Sequence, residues 1–435
     1  MISYLKRFVN TNDKKRLLSN FFSLSVLQIF TYVLPLITIP YLVRVLGAEK
    51  YGLVVFAQSF MMLFNLFVDF GFSLSATREV AIYINDKEKL TEIFSSVMTI
   101  KAILIILSLL FISFVIFYFP RFSYDWDLYY LTFLWVIGQS VFPIWYFQGI
   151  EKMKYITIVN ITSKLLFTLA IFGFVKSEAD YLLVPTFNGL GFIVGGLISL
   201  RIITTDLQQT FKIQPIRKII EYFKDGSQFF LSRISVYIYT TSNSFILGLF
   251  TSTTMVAYYS VAEKIYQALQ QVYQPIIQTL YPYVAKHKNI AFFKKAFGLI
   301  VIFNIFTIAT LYFFSSDLLL LLFGKSISIE SLKVFHYFLV ASLFVVPSIA
   351  IGYPFLGALG FARYANMSVV YASIFHFIGL MVLASSGSIT IYNVSALVIF
   401  TQIIDFCYRF YGVFKNSLWN LKFKEFDNVR DFRTS

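Results

Sequence analysis

The chain has 435 residues, 58% of them hydrophobic and only 13% charged, and its mean hydropathy is positive. Soluble proteins carry about a quarter charged residues, so this composition excludes a soluble domain and defines a polytopic membrane protein. The single cysteine, Cys407, excludes an intrachain disulfide, and the net charge of +14 must first be weighed against membrane topology.

Residues 1–18 are polar and basic, and the apolar run after them is long enough to span. That pattern predicts an uncleaved anchor rather than a cleaved signal peptide. A hydrocarbon layer of ~30 Å calls for roughly 20 apolar residues per crossing. Twelve such stretches follow in order, near 20–43, 52–75, 95–119, 128–149, 155–175, 181–201, 228–250, 255–284, 297–314, 333–357, 365–385 and 389–411. The longest connector, 201–227, carries Pro215 and mixed charge and separates the first six spans from the last six. The expected fold is therefore all-α, with twelve transmembrane helices in two six-helix lobes around a central cavity. The N-terminal lobe is 1–214 and the C-terminal lobe 215–435. Six spans per half give parallel repeats about an axis along the membrane normal. The words "FPIWYFQGIEKMKYITIVN" after span 4 and "IGYPFLGALGFARYANMSV" after span 10 extend the repeat.

The basic residues sort sharply across these spans. Of 36 lysines and arginines, 26 fall on the side of both termini, six on the other side and four within spans. The positive-inside bias places both termini in the cytoplasm. Topology thus accounts for most of the positive charge, and no nucleic-acid partner is expected.

Span 2 carries Gln58, Asn65 and Asp69 on one helix face, and span 8 carries Glu263, Gln267, Gln270 and Gln274 at matching positions. Steps of four, three and four residues, with Met62 opposite Gln267, keep each set on one face. A polar face in lipid is costly unless it meets other helices or water. Two in register predict a duplicated bundle around a wet passage. Gln267, Gln270 and Gln274, with Asn65, are the candidates for lining it.

Four cations lie within spans: Lys101, Lys164, Arg233 and Lys264. Intramembrane cations usually face a bundle interior or a wet cavity. Arg233, Lys264 and Lys164 are the candidate ligands for an anionic group, because guanidinium and ammonium suit phosphate. Lys101 is expected to snorkel to the cytoplasmic headgroups. Glu263, at the head of the span-8 stripe, is the first ion-coupling candidate, since a carboxylate wetted in one state and dry in another changes its proton affinity. A fixed pair with Lys164 or Lys264 is its competing role. Asp69 is the second candidate, with a structural pair to Arg78 or the next loop as the alternative. Asp405 and Arg409, four apart on span 12, should form a local ion pair. The aromatic residues at 129, 130, 135, 145 and 146 are expected to serve packing and an interfacial belt. His287, His336 and His376 form no metal or nucleophile constellation, and no metal or cofactor is expected beyond a coupling cation.

The stretch Asn20–Ala81, with "NFFSLSVLQIFTYVLPLITIPYLVRVLGAEKYG" and "FVDFGFSLSATREVA", and the words "PIWYFQGIEKMKYI" at 143–156 resemble the Wzx-type polysaccharide flippases. The resemblance covers the chain in length and span count, but its motifs lie in the first 160 residues. These are aliphatic and aromatic words shared with a superfamily of drug/cation antiporters and peptidoglycan-precursor flippases. The wording favours the O-antigen and capsule branch. It implies a bacterial inner-membrane protein that moves undecaprenyl-diphosphate-linked oligosaccharide from the inner to the outer leaflet by alternating access, with H+ or Na+ coupling expected from the Glu263 carboxylate. Membrane lipids, and a polymerase and chain-length regulator of the same lipopolysaccharide or capsule pathway, are the partners it suggests.

Two other readings compete. A drug/cation antiporter of the same fold would place acids rather than cations at its centre. A membrane polymerase or glycosyltransferase would carry a long external catalytic loop, and none is present.

Overall fold

The computed structural model describes residues 12–324 and 328–419, and every regular element in that range is helical. Lys6, Arg7, Lys325 and the basic residues after Trp419 lie outside the described residues, as do the side chains of Lys14, Lys15, Arg16 and Arg233. The chain divides into two compact units between Ile234 and Ser235.

The first unit begins with α1 (Asn12–Asp69), a continuous helical path broken at Gly47, where φ is 70° and ψ 169°. Pro35 and Pro40 lie inside the helix. The break falls instead at a conformation that is essentially reserved for glycine, so Gly47 turns the chain between spans 1 and 2. Then follow α2 (Phe72–Ile82), α3 (Lys87–Tyr118), α4 (Pro120–Ser123), α5 (Trp126–Val141), α6 (Ile144–Gly149), α7 (Met153–Phe174) and, after a short 3-10 turn, α8 (Leu183–Thr205). Asp86 caps α3 by accepting from the Lys89 N–H, as short acceptor side chains do at helix starts.

The helix α9 (Ile216–Thr240) runs from the first unit into the second, which explains why the units divide about 20 residues beyond the expected boundary at 214/215. Its first half packs on the α1–α2 corner. Phe70 stacks on Phe223 at 4.4 Å and on Phe230 at 4.8 Å. Arg78 meets Asp225 at 3.1 Å, and the Tyr222 hydroxyl donates to Glu92 at 3.0 Å. Gly71, with φ 81°, permits this approach: a Cβ there would lie 2.7 Å from the Gly226 carbonyl oxygen.

The second unit continues with α10 (Asn243–Phe250), α11 (Thr253–His287), α12 (Ile290–Phe313), α13 (Ser315–Phe323), α14 (Ile329–Ile351), α15 (Ala362–Ser385) and α16 (Ile391–Lys415). A π-helical turn, Gly352–Gly357, joins α14 to α15. It holds the place that α6 holds between α5 and α7, so the two repeated sequence words form equivalent short helical corners. Phe355 of this turn stacks on Phe293 at 4.2 Å, within a buried cluster that includes Val284, Ile351, Leu356 and Val413.

Nine helical stretches among the described residues are long and apolar enough to cross a membrane. The first, Val26–Ile82, includes the break at Gly47 and covers two of the expected spans. Expected spans 7 and 8 fall on α9–α11 and are not among the nine. Their length is divided between helices in the first case, and the polar stripe lowers the hydropathy in the second. The count of twelve stands as an expectation from the sequence.

Candidate functional site

Both polar stripes are half-buried faces, and each unit assembles its own polar cluster around them. In the first unit, Asn65 and Asp69 come from the last turns of α1 and Ser73 and Leu74 from α2. With Lys101 on α3, Gln139 on α5, and Trp145 and Gln148 on α6, they line a cavity of about 270 Å³. The cavity exists because Pro143 and Phe142 end α5 and turn α6 aside. Gln139 and Gln148 thereby come from two different helices.

Lys101 is 4% exposed, and its Nζ lies 3.8 Å from Asp69 Oδ1. It sits fourteen residues after Lys87, about 21 Å along α3 at 1.5 Å per residue, and it is buried against a carboxylate instead of reaching toward headgroups. Asp69 likewise pairs with Lys101 and not with Arg78, whose partners are Asp225 and Glu79 at 3.1 Å each. The reason is helical phase. The αL turn at Phe70–Gly71 directs α2 away from the axis of α1, so Arg78 faces α9 while Asp69 faces α3. Trp145 is 2% exposed and its indole N–H has no protein acceptor among the described residues. Tyr129 and Tyr146 are equally buried, which makes them packing residues rather than a belt. Lys164 lies elsewhere in this unit, donating to the Thr31 hydroxyl at 2.7 Å.

In the second unit, Glu263, Gln267, Gln270 and Gln274 lie half-buried along α11. The Lys264 ammonium points along the same helix to Gln267 Oε1 at 3.4 Å, and Glu263 hydrogen-bonds the Ser244 hydroxyl of α10. Arg233 lies on α9, its side chain outside the described residues.

Beside the stripe is a cluster that the sequence did not expose. His376 on α15 is fully buried. Its Nδ1 lies 2.8 Å from Thr401 Oγ1 on α16, and its Nε2 lies 2.9 Å from Asn243 Oδ1 on α10. Tyr259, one turn before Glu263 on α11, is buried next to Asn243 and Glu263. Intramembrane titratable groups with named partners are functional candidates by default. The one signal in the sequence was His376 itself, a histidine in a membrane-length apolar segment. Its partners come from two other helices, one of them 133 residues away in sequence. No group of three or more His, Cys, Asp or Glu among the described residues could hold a metal ion.

This arrangement of helices has known counterparts. A lipid II flippase, MurJ, in an inward closed conformation superposes over 92% of this chain and 88% of its own with a TM-score of 0.68 at 15% identity. An inward-facing multidrug resistance transporter of the MATE family, from the MOP superfamily, superposes over 92% and 98% with a TM-score of 0.66 at 14% identity. The fold is thus that of polytopic membrane proteins of this kind. Within that class the chain belongs to the polysaccharide biosynthesis protein family, which it matches over residues 17–288. A protein of Escherichia coli (strain K12) named "Putative O-antigen transporter" is 32% identical over 325 residues, 74% of this chain and 76% of its own length. A protein of the same name in Shigella dysenteriae is 27% identical over 73% of this chain and 81% of its own.

Proposed function

We propose that this protein is a flippase. It moves undecaprenyl-diphosphate-linked oligosaccharide repeat units, of O-antigen or capsule, from the cytoplasmic to the outer leaflet of a bacterial inner membrane. Both termini are cytoplasmic, and the mode is alternating access. The kinship with O-antigen transporters over three-quarters of the chain carries this reading. The glutamine face of α11 supports it, because sugar hydroxyls both donate and accept hydrogen bonds, as amides do. Arg233, Lys264 and Lys164 are the proposed ligands of the diphosphate. Glu263 and Asp69 are the proposed ion-coupling carboxylates for H+ or Na+, and a polymerase and chain-length regulator are the proposed protein partners. The protein acts on its cargo by transport and makes or breaks no covalent bond.

Deletion tests the reading. Lipid-linked repeat units should accumulate on the cytoplasmic leaflet and mature polymer should disappear, with both defects reversed by the wild-type gene. Normal polymer in a strain lacking this and every related flippase would sink the proposal. Increased drug sensitivity as the sole defect would favour the antiporter reading.

A further inference from the structure

The cavity of the first unit is not accounted for by the stripes alone. It holds about 270 Å³ inside one compact unit, small beside the roughly 300–1,000 Å³ of drug-sized sites and suited to a single sugar ring. Its polar lining mixes signs and roles: an ammonium, a carboxylate, the amides of Asn65, Gln139 and Gln148, and the indole N–H of Trp145. Buried polar groups are normally hydrogen-bonded. Here Lys101 and Trp145 are both more than nine-tenths buried. The lysine is 3.8 Å from its carboxylate, and the indole N–H has no protein acceptor among the described residues.

The separation of Lys101 and Asp69 exceeds the 2.7–3.2 Å of a close hydrogen bond. That geometry selects among ligands. A hydroxyl donates and accepts, so a vicinal diol can give one hydrogen bond to Asp69 and take one from Lys101 at the same time. A phosphate offers only acceptors and would face the Asp69 carboxylate. An acyl chain would leave every polar group of the lining stranded. Amides from three helices and a donor-only indole complete a lining fitted to a ring bearing several hydroxyl or acylamino groups.

We propose that this cavity is a subsite for one sugar ring of the cargo, distinct from the groups that hold its diphosphate; the proposal rests on the flippase reading. Lys101 and Asp69 bridge adjacent hydroxyls, and Gln139, Gln148 and the Trp145 N–H fix the ring.

The test measures binding to the full-length protein in lipid nanodiscs with two probes. One is the lipid-linked repeat unit extracted from a strain lacking this protein, and the other is sugar-free undecaprenyl diphosphate. Replacing Gln139→Leu and Gln148→Leu together should weaken repeat-unit binding about tenfold or more, as the loss of two amide hydrogen bonds implies. Binding of the sugar-free lipid should not change. Trp145→Phe, which keeps an aromatic ring though a smaller one and removes the N–H, should weaken the same probe several-fold with sugar-free lipid binding unchanged, and this difference between the probes decides the matter if the double variant does not fold. Equal loss for both probes would place the diphosphate here instead, and no loss for either would make this a hydrated packing cavity; each outcome overturns the subsite. Wild-type protein that binds neither probe would overturn the flippase reading itself, and the subsite with it.

Discussion

The ion pair of Asp405 and Arg409 lies on one helix at 3.1 Å, with the two side chains 10% and 12% exposed. Spacing alone describes a local i,i+4 contact, typically worth a few tenths of a kcal/mol. The structure gives it a larger role. Arg409 donates to the Ser348 carbonyl at 2.8 Å and to the Ser368 hydroxyl at 2.9 Å, and the Ser348 hydroxyl donates to Asp405. The pair therefore ties α14, α15 and α16 together. Removing one partner of a buried pair leaves the other uncompensated, at a cost of about 3–5 kcal/mol. Arg409→Met should lower the melting temperature in detergent sharply, while Asp405→Asn combined with Arg409→Met should recover part of the loss. Equal melting of wild type and single variant would show that water reaches this network. The His376 cluster invites the same treatment. His376→Leu removes the ring's hydrogen bonds to Asn243 and Thr401 in the interior, at about 1–3 kcal/mol, and the effect is read in the same melting experiment.

At the scale of elements, the α1–α2 corner governs the first unit. Its two glycines do different work. Gly47 breaks α1 through a backbone conformation closed to other residues, and Gly71 lets the backbone of α9 come within contact of the corner. Gly71→Ala meets both a positive φ and a Cβ placed 2.7 Å from a carbonyl oxygen. A φ of this kind costs about 1–3 kcal/mol by itself. The expected result is a lower yield of folded protein, with increased protease cleavage in 206–225 as the first half of α9 loosens. An unchanged cleavage pattern would mean that the Phe70–Phe223–Phe230 stack holds α9 without the close backbone crossing.

For the molecule as a whole, the glutamine face of α11 is the feature to test by transport. Interhelical hydrogen bonds in membranes average only ~0.6 kcal/mol each, so losing three glutamines should be tolerated by the fold. Replacing Gln267, Gln270 and Gln274 by Leu should leave expression and melting near wild type and abolish complementation of a deletion strain. If the triple variant still supported polymer, the face would be structural.

What could be read in advance follows from the range of the forces involved. Membrane class and the main helices come from hydropathy, which sums over about 20 consecutive residues and needs no knowledge of neighbours. The phases of Asn65 and Asp69, and of Glu263 through Gln274, come from helical periodicity, which is equally local. The words shared by the two halves marked the repeat, but both were placed inside continuous spans, and the structure turns each into a short helical corner, at α6 and at Gly352–Gly357. Partners were another matter. Helix periodicity gives a residue's phase on its own helix and not the rotation of that helix against the next. Hence Lys101 could be placed at a depth in the membrane but not against Asp69, and Arg78 was assigned the wrong carboxylate. The compact units divide within α9, whose first half stacks on Phe70 through contacts that no local signal reports. Trp145 looked like one more aromatic residue until folding brought its indole beside Lys101 and two glutamines. The sequence determined that the chain crosses the membrane many times with polar faces in two of its helices; packing alone decided which groups those faces meet, because contact depends on helix rotation and on close approach between segments far apart in sequence, as Asp69 meets Lys101 and Arg78 meets Asp225, 147 residues on.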